Sequence, residues 1–437
     1  MAAVIPLTIA TPVKTRGINA QPDARWRFAW LMAAPHRLCF FTAAVMMATS
    51  SLWWAAVLVA RAMGQGLNWA IPMTPAHALL MTTGFLPLFM AGFLFTAGPR
   101  WLALPEGSIT TQALRGPICA MLIGWACAIA GFHMERMLAG AGLTLVAAGW
   151  STLCIKFAGL LRRSPLTDRA HAQLAGWACG IGGVALWIAA AAVFTDQVPL
   201  LRSATQLALW CFIATVFAVV SHRMLPFFTA GVLPFLDAWR PAWLLWAIVG
   251  ALWLSALLAI AELWWFPIPA ALRGMQAAFE ACMAGLLLWL ALRWGLVQSF
   301  RNRLLAMLHG GFVWLGIAFA LACVSHGLMA LSGGERSLGL APMHALTMGY
   351  FGATLLAMAT RVSSGHGGRP LAADGPAWIL YWILQTAVLL RVIAALWTEA
   401  TPFLTIVAVL CWAVATVGWA LRYGRWFGQP RSDGRPG

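Results

Sequence analysis

The sequence predicts an all-α polytopic membrane protein, one bundle of about twelve transmembrane helices with both termini cytoplasmic. Across 437 residues the composition is 62% hydrophobic and 9% charged, with a mean hydropathy of +0.82. Those values lie far outside the range of soluble domains. The apolar residues also gather into runs of roughly 17–25, the length an α-helix needs to cross about 30 Å of hydrocarbon. The runs are apolar all round and do not alternate with polar residues, which argues against a closed outer-membrane barrel.

In order, the runs fall near 38–60, 76–98, 114–132, 137–160, 172–195, 204–224, 241–262, 268–292, 304–330, 340–362, 376–397 and 402–422. The cations test that count independently, because with twelve spans the even-numbered turns and both tails share one side. On that side stand 22 of the 28 Lys and Arg residues, from Lys14 to Arg435; only Arg61, Arg136, Arg202, Arg273 and Arg336 lie opposite, with Arg391 inside the eleventh run. The cation-rich side is therefore expected to be cytoplasmic, and the net charge of +16 follows from topology and contact with anionic lipid. The cations are scattered through turns and build no basic face, so nucleic acid is not an expected partner.

Residues 1–34 are polar and lack an apolar core, so they are expected to be a cytoplasmic tail and not a cleaved leader. Residues 35–424 form the single membrane domain, and 425–437 a second short tail. Turns of at most about twenty residues leave no room for an extramembrane domain or a c-type haem motif, so any chemistry sits in the bundle or at its rims. The nine cysteines all fall in or at the ends of runs without a C-x-x-C pair, and read as small packing residues. Tryptophans such as Trp53, Trp54, Trp69, Trp264 and Trp265 cluster at run ends, where interfacial rings are favoured.

The histidines carry more information. Pro75–Met81 and Pro342–Met348 share the pattern P-x-H-A-L-x-M, and each copy opens a run that enters from the outer side. An imidazole at the mouth of an apolar helix costs free energy unless its lone pair is used, by a metal, a haem iron or a hydrogen-bond partner. Two such helices side by side could present His77 and His344 to one iron or copper ion; the alternative is a duplicated packing feature. Gly84, Gly92, Gly349 and Gly352 after these histidines fit a site of close helix approach.

A second constellation is expected at the inner rim: His36 with Arg37, His222 with Arg223 where Pro226 follows, His309, and the Gly-rich segment 360–371 with Arg361, His366 and Arg369. Arginine forks and free backbone N–H groups there would suit a metal or haem propionates, and a helix stop decorated with positive-inside arginines is the alternative. His133, His171 and His326 are assigned interfacial or hydrogen-bonding roles. Inside the membrane, Glu280 and Arg391 are either proton-relay groups or neutralise each other, although their depths differ by about 9 Å at 1.5 Å per residue.

Several segments together resemble the NnrS family: P-H-R-L-x-F-F at 35–41, G-F-x-x-x-x-x-A-G-F-L-F-T-A from Gly84 to Ala97, H-R-M-L-P-F-F-T from His222 to Thr229, and H-A-L-T-M-G followed by M-A-T-R-V-S-S-G-H-G-G-R-P-L. The resemblance covers nearly the whole chain. It implies a twelve-helix bacterial inner-membrane protein similar to the haem- and copper-containing members linked to nitric-oxide metabolism and nitrosative stress, with a b-type haem, nitric oxide or a related small molecule as ligand, and a redox partner. His344, Arg361, His366, Arg369, Arg223 and His222 stand where the family pattern has them. Where that pattern reads W-H-x-H-E, the chain keeps His77 but has Leu79 and Leu80, so retention of copper is left open. The layout also resembles the catalytic subunit of haem-copper oxidases, but the paired histidines of their binuclear centre are absent, and enzyme status is left open. A cofactor-free twelve-helix transporter, using Glu280 and Arg391, is the rival expectation.

Overall fold

The computed structural model describes residues 25–232 and 238–434. Most of the polar segment 1–34, with Lys14 and Arg16, and the end of the C-terminal tail, with Arg435, lie outside the described residues. Among the described residues, twelve helical runs are long enough to cross a bilayer. They are α1 (Pro35–Ala62), α2 (Met73–Trp101), α3 (Thr111–Met134), α4 (Arg136–Arg163), α5 (Ala170–Phe194), α6 (Val198–Val232), α7 (Ala242–Trp264), α8 (Ala270–Arg293), α9 (Arg303–Leu331), α10 (341–366), α11 (Gly375–Leu396) and α12 (Thr398–Phe427). No strand occurs among the described residues.

Eleven of the twelve are both long and apolar enough to span. The twelfth, α10, is about 39 Å long at about 1.5 Å per residue; His344, Thr347, Thr354, Thr360 and Arg361 lower its hydropathy. The span with the weakest membrane signature thus carries one of the candidate ligands, His344. Both described chain ends meet at one end of the bundle: the Arg27 N–H donates to the Gly428 carbonyl (2.8 Å), and the buried Arg37 guanidinium donates to the carbonyls of Phe427 (3.3 Å) and Gln429 (2.6 Å).

Helices α2, α6, α9 and α10 are the most enclosed and form the interior, while large apolar side chains such as Ile155, Trp177, Leu257 and Phe403 point outwards from the surrounding helices. Lipid tails are as apolar as these side chains, so the hydrophobic effect does not drive helices together here; small residues that allow close approach do. The α3–α4 pair shows this. A Cβ on Gly124 would lie 2.6 Å from the Gly142 carbonyl and 2.8 Å from the Val146 nitrogen, and one on Gly149 would lie 2.7 Å from the Pro117 carbonyl. Gly124→Val is expected to cost about 1–3 kcal/mol through overpacking, seen as a lowered melting temperature in detergent. Gly116→Val on the same helix, where nothing lies within 4 Å, should leave it unchanged; equal effects would show that the α3–α4 contact is not the cause.

The two helices that carry the repeated motif are both irregular just past their histidines. Helix α2 breaks at Gly84–Phe85 into Met73–Thr83 and Leu86–Trp101. Pro87 lacks an N–H and its ring bars the Thr83 carbonyl, so the regular hydrogen-bond ladder cannot pass this point. Helix α10 widens into a π-helix over Ala345–Gly352, directly after His344, and α6 does so over Ala208–Ala214. Non-helical backbone at membrane depth is tolerated where protein buries it or a cavity accepts it, and π-bulges concentrate at functional sites.

Candidate cofactor cavity

The break in α2 and the wide turn of α10 flank a cavity of about 560 Å³ at the end of the bundle opposite the described chain ends. His77 and His344 both line it, together with Trp54 from α1, Arg202 from α6, Arg391 from α11 and Trp412 from α12. The repeated motif thus converges on one space. The His77 ring stacks on Trp54 (centroids 3.7 Å apart, planes at 19°), and its buried Nδ1 has no hydrogen-bond partner. His344 Nδ1 donates to the Leu340 carbonyl at 2.9 Å, which leaves the Nε2 lone pair unused by that bond. A chamber of this size falls in the range that holds a cofactor or drug-sized ligand. Two imidazoles with spare nitrogens, beside two guanidinium groups, suit a metal-centred group that also carries carboxylates.

Leu79 and Leu80, the positions where the family pattern has a histidine and a glutamate, are buried in the helix packing and do not line the cavity. Met81, Met343 and Met348 do, and thioethers are soft donors. Among the described residues no group of three or more His, Cys, Asp or Glu side chains gathers as a metal site.

The histidines and arginines expected to form one set at the other end fall into three local groups. His36 and His366 face each other with ring centroids 4.3 Å apart, and His36 Nδ1 is buried without a partner. Over this pair the C-terminal segment folds back: the Ser432 hydroxyl donates to the carbonyls of Gly367 (3.1 Å) and Gly368 (2.7 Å), and Arg369 lies over the Trp426 ring at 4.0 Å. His222 is committed elsewhere. Its Nε2 donates to the Pro241 carbonyl (3.2 Å) and its Nδ1 meets His171 Nε2 (3.0 Å), so both nitrogens are occupied in this arrangement. Arg223 stacks over Trp101 at 5.0 Å. His309 is fully buried; its Nε2 donates to Thr229 Oγ1 at 3.0 Å, and Nδ1 is unpartnered. Arg361 lies 3.8 Å over the Phe228 ring beside that threonine.

His133 accepts from Trp53 Nε1 at 2.9 Å and donates to the Asn68 carbonyl at 3.0 Å, the hydrogen-bonded role expected of it. Glu280 and Arg391 do not meet. Glu280 bonds to His326 and Gln276, whereas Arg391 lines the cavity of His77 and His344. The sequence offered no way to see Trp54, Arg202 and Arg391 as members of that cavity: the first looked like an ordinary interfacial ring, the second like a stray outer cation, and the third like half of an ion pair.

Fold and cavity define a multi-pass, all-α membrane protein with an imidazole-lined chamber at one end of its bundle. The chain belongs to the NnrS family: the model of that family, described as NnrS protein, matches residues 30–431, nearly the whole chain. It is thereby a nitric-oxide-related membrane protein. No curated protein and no solved structure shows a significant match to it.

Proposed function

We propose that this NnrS-family chain is a haem-binding protein of a bacterial inner membrane that acts in nitric-oxide metabolism or the response to nitrosative stress, with His77 and His344 as the ligands. The observation that carries the proposal is the convergence of the two P-x-H-A-L-x-M histidines on one chamber of about 560 Å³. Trp54 would hold the His77 ring in place by stacking, and the Leu340 carbonyl fixes the tautomer of His344 so that Nε2 is the ligating atom. Arg202 and Arg391 would pair with propionates. Bound there, the haem would supply an iron that changes oxidation state, and a diatomic ligand would have to displace one of the two imidazoles to reach it. The same imidazoles with the thioethers of Met81, Met343 and Met348 form a donor set that also suits copper(I).

An optical spectrum of detergent-purified protein, oxidised and dithionite-reduced, combined with metal analysis, tests the assignment. A Soret band with iron supports haem; copper without a Soret band assigns the chamber to copper. A colourless, metal-free protein from haem-replete cells would sink both and leave a transporter as the better account.

The cation bias further supports a cytoplasmic position for the chain ends. A fluorescent protein fused after Gly437 should therefore fluoresce, and alkaline phosphatase fused in the turn near Gly66 should be active. The reverse pattern would invert the topology.

A further inference from the structure

A second cavity, of about 480 Å³, adjoins the first and shares four wall residues with it: Arg202, Gln206, Leu340 and Met343. Its lining carries a larger polar share than that of the first, through Glu262, Gln276, Glu280 and His326. Glu280, only 5% exposed, accepts hydrogen bonds from His326 Nδ1 (2.7 Å to Oε2, 2.9 Å to Oε1) and from the Gln276 amide (3.2 Å). With Nδ1 donating to the carboxylate, His326 turns its basic Nε2 towards the Gln276 amide, 3.5 Å away, a separation too long for a strong bond. The lone pair of Nε2 is thus only loosely engaged.

The other charged groups facing this pair are accounted for. Glu262 from α7 is bonded to Arg273 from α8, which cancels one carboxylate against one cation. Arg202 from α6 lines the wall, and the Cys323 thiol from α9 lies within electrostatic reach of Glu280. With neutral His326 the two carboxylates and two guanidinium groups balance. One added proton would make the cavity cationic beside the chamber of His77 and His344. A carboxylate–imidazole pair at this depth is costly compared with an apolar pair of the same shape, so packing alone gives no reason for it.

We propose that Glu280 and His326 form a proton-binding site that serves the neighbouring chamber: His326 Nε2 takes up a proton, Glu280 orients the ring and holds the resulting imidazolium, and the uptake offsets negative charge arriving in the first cavity. The linkage rests on the cofactor assignment above; the proton site itself does not. In the reductive step one electron would pass from a low-potential reductant such as dithionite to the bound metal, and one N–H bond would form on His326 as one O–H bond breaks in the hydronium ion or buffer acid that supplies the proton. Charge in a low-dielectric interior couples across the shared wall of two cavities more strongly than it would through water, so the proton and the electron stabilise each other.

Two measurements on wild type, Glu280→Gln and His326→Gln decide it, each variant first checked for an unchanged elution volume and helical content. Infrared pH-difference spectra should show a histidine protonation band that His326→Gln abolishes and a coupled carboxylate band that Glu280→Gln abolishes; bands unchanged in both variants would overturn the site. After subtraction of the protons that oxidation of the dithionite itself releases, a pH-indicator dye in weakly buffered detergent should record about one proton taken up per metal reduced in the wild type, none in His326→Gln and a reduced amount in Glu280→Gln, with the optical spectrum unchanged. Full uptake in the His326 variant would overturn the linkage. A protein without chromophore or metal would remove the cofactor assignment and with it the linkage, while the infrared result would still decide whether the pair binds a proton.

Discussion

Replacing either His77 or His344 with alanine is expected to abolish the Soret band or shift it, with at least a tenfold fall in bound metal. Removing even a residue that merely orients a ligand typically costs 10–100-fold in metal affinity, and removal of a ligand should cost no less. Because both imidazoles serve one chamber, the double variant should lose little more than either single one; the effects of residues that act as a unit are not additive. Trp54→Leu, which removes the stacking partner of His77 but no donor, should give a smaller fall. His133→Gln should change nothing, since His133 is held by Trp53 and Asn68 away from the chamber. A normal band in both alanine variants would exclude the chamber. His36 and His366 would then be the pair to replace, because His36 is another histidine with a buried, unpartnered Nδ1 and an imidazole neighbour.

The fold was legible because membrane spans obey rules that act on single residues: length, apolarity and cation placement. Eleven helices satisfy the length and apolarity rules outright. Helix α10 was read from the apolar run near 340–362, although its polar residues, His344 among them, weaken the signal. The repeated motif at matched depth singled out His77 and His344, and both line one cavity. What the sequence hid depends on which face of a helix a residue occupies. Arg391 and Glu280 were weighed as partners on depth alone, and each proved to have other neighbours. His326 looked like a rim histidine because nothing within a few residues reveals the Glu280 carboxylate, 46 positions away in the chain and one helix over. The inner-rim residues shared a depth but not a direction, so they separate into local pairs. The π-helical segments were hidden for a further reason: a widened turn has no residue signature comparable to that of Pro87, and it arises where tertiary contacts on α6 and α10 favour the extra residue.

Gly349→Leu should damage both the stability of the bundle and the occupancy of the chamber. Gly349 sits within the π-helical stretch of α10, against α9. A Cβ there would lie 2.6 Å from Cγ, 2.7 Å from Cδ2 and 2.9 Å from Cβ of Trp314, closer than real side chains approach. The indole cannot swing away freely, because its Nε1–H donates to the buried Gln385 on α11 at 2.7 Å. Relief must come from α10 moving off α9, and His344 lies little more than one turn away on the moving helix. Overpacking of this kind typically costs about 1–3 kcal/mol or more. The buried thiols of Cys39, Cys179 and Cys211 provide a convenient record of unfolding, since a thiol-reactive fluorogenic dye reaches them only when the bundle opens. The expected order of melting temperature is wild type, then Gly349→Ala, then Gly349→Leu, with metal content falling in the same order. Trp314→Ala should partly rescue Gly349→Ala, because it removes the ring, Cγ included, that the new methyl strikes, and a double-mutant cycle would record this as a favourable coupling. If Gly349→Leu melts normally and binds metal normally, α10 is not held against α9 by this contact, and the placement of His344 in the chamber would need another cause.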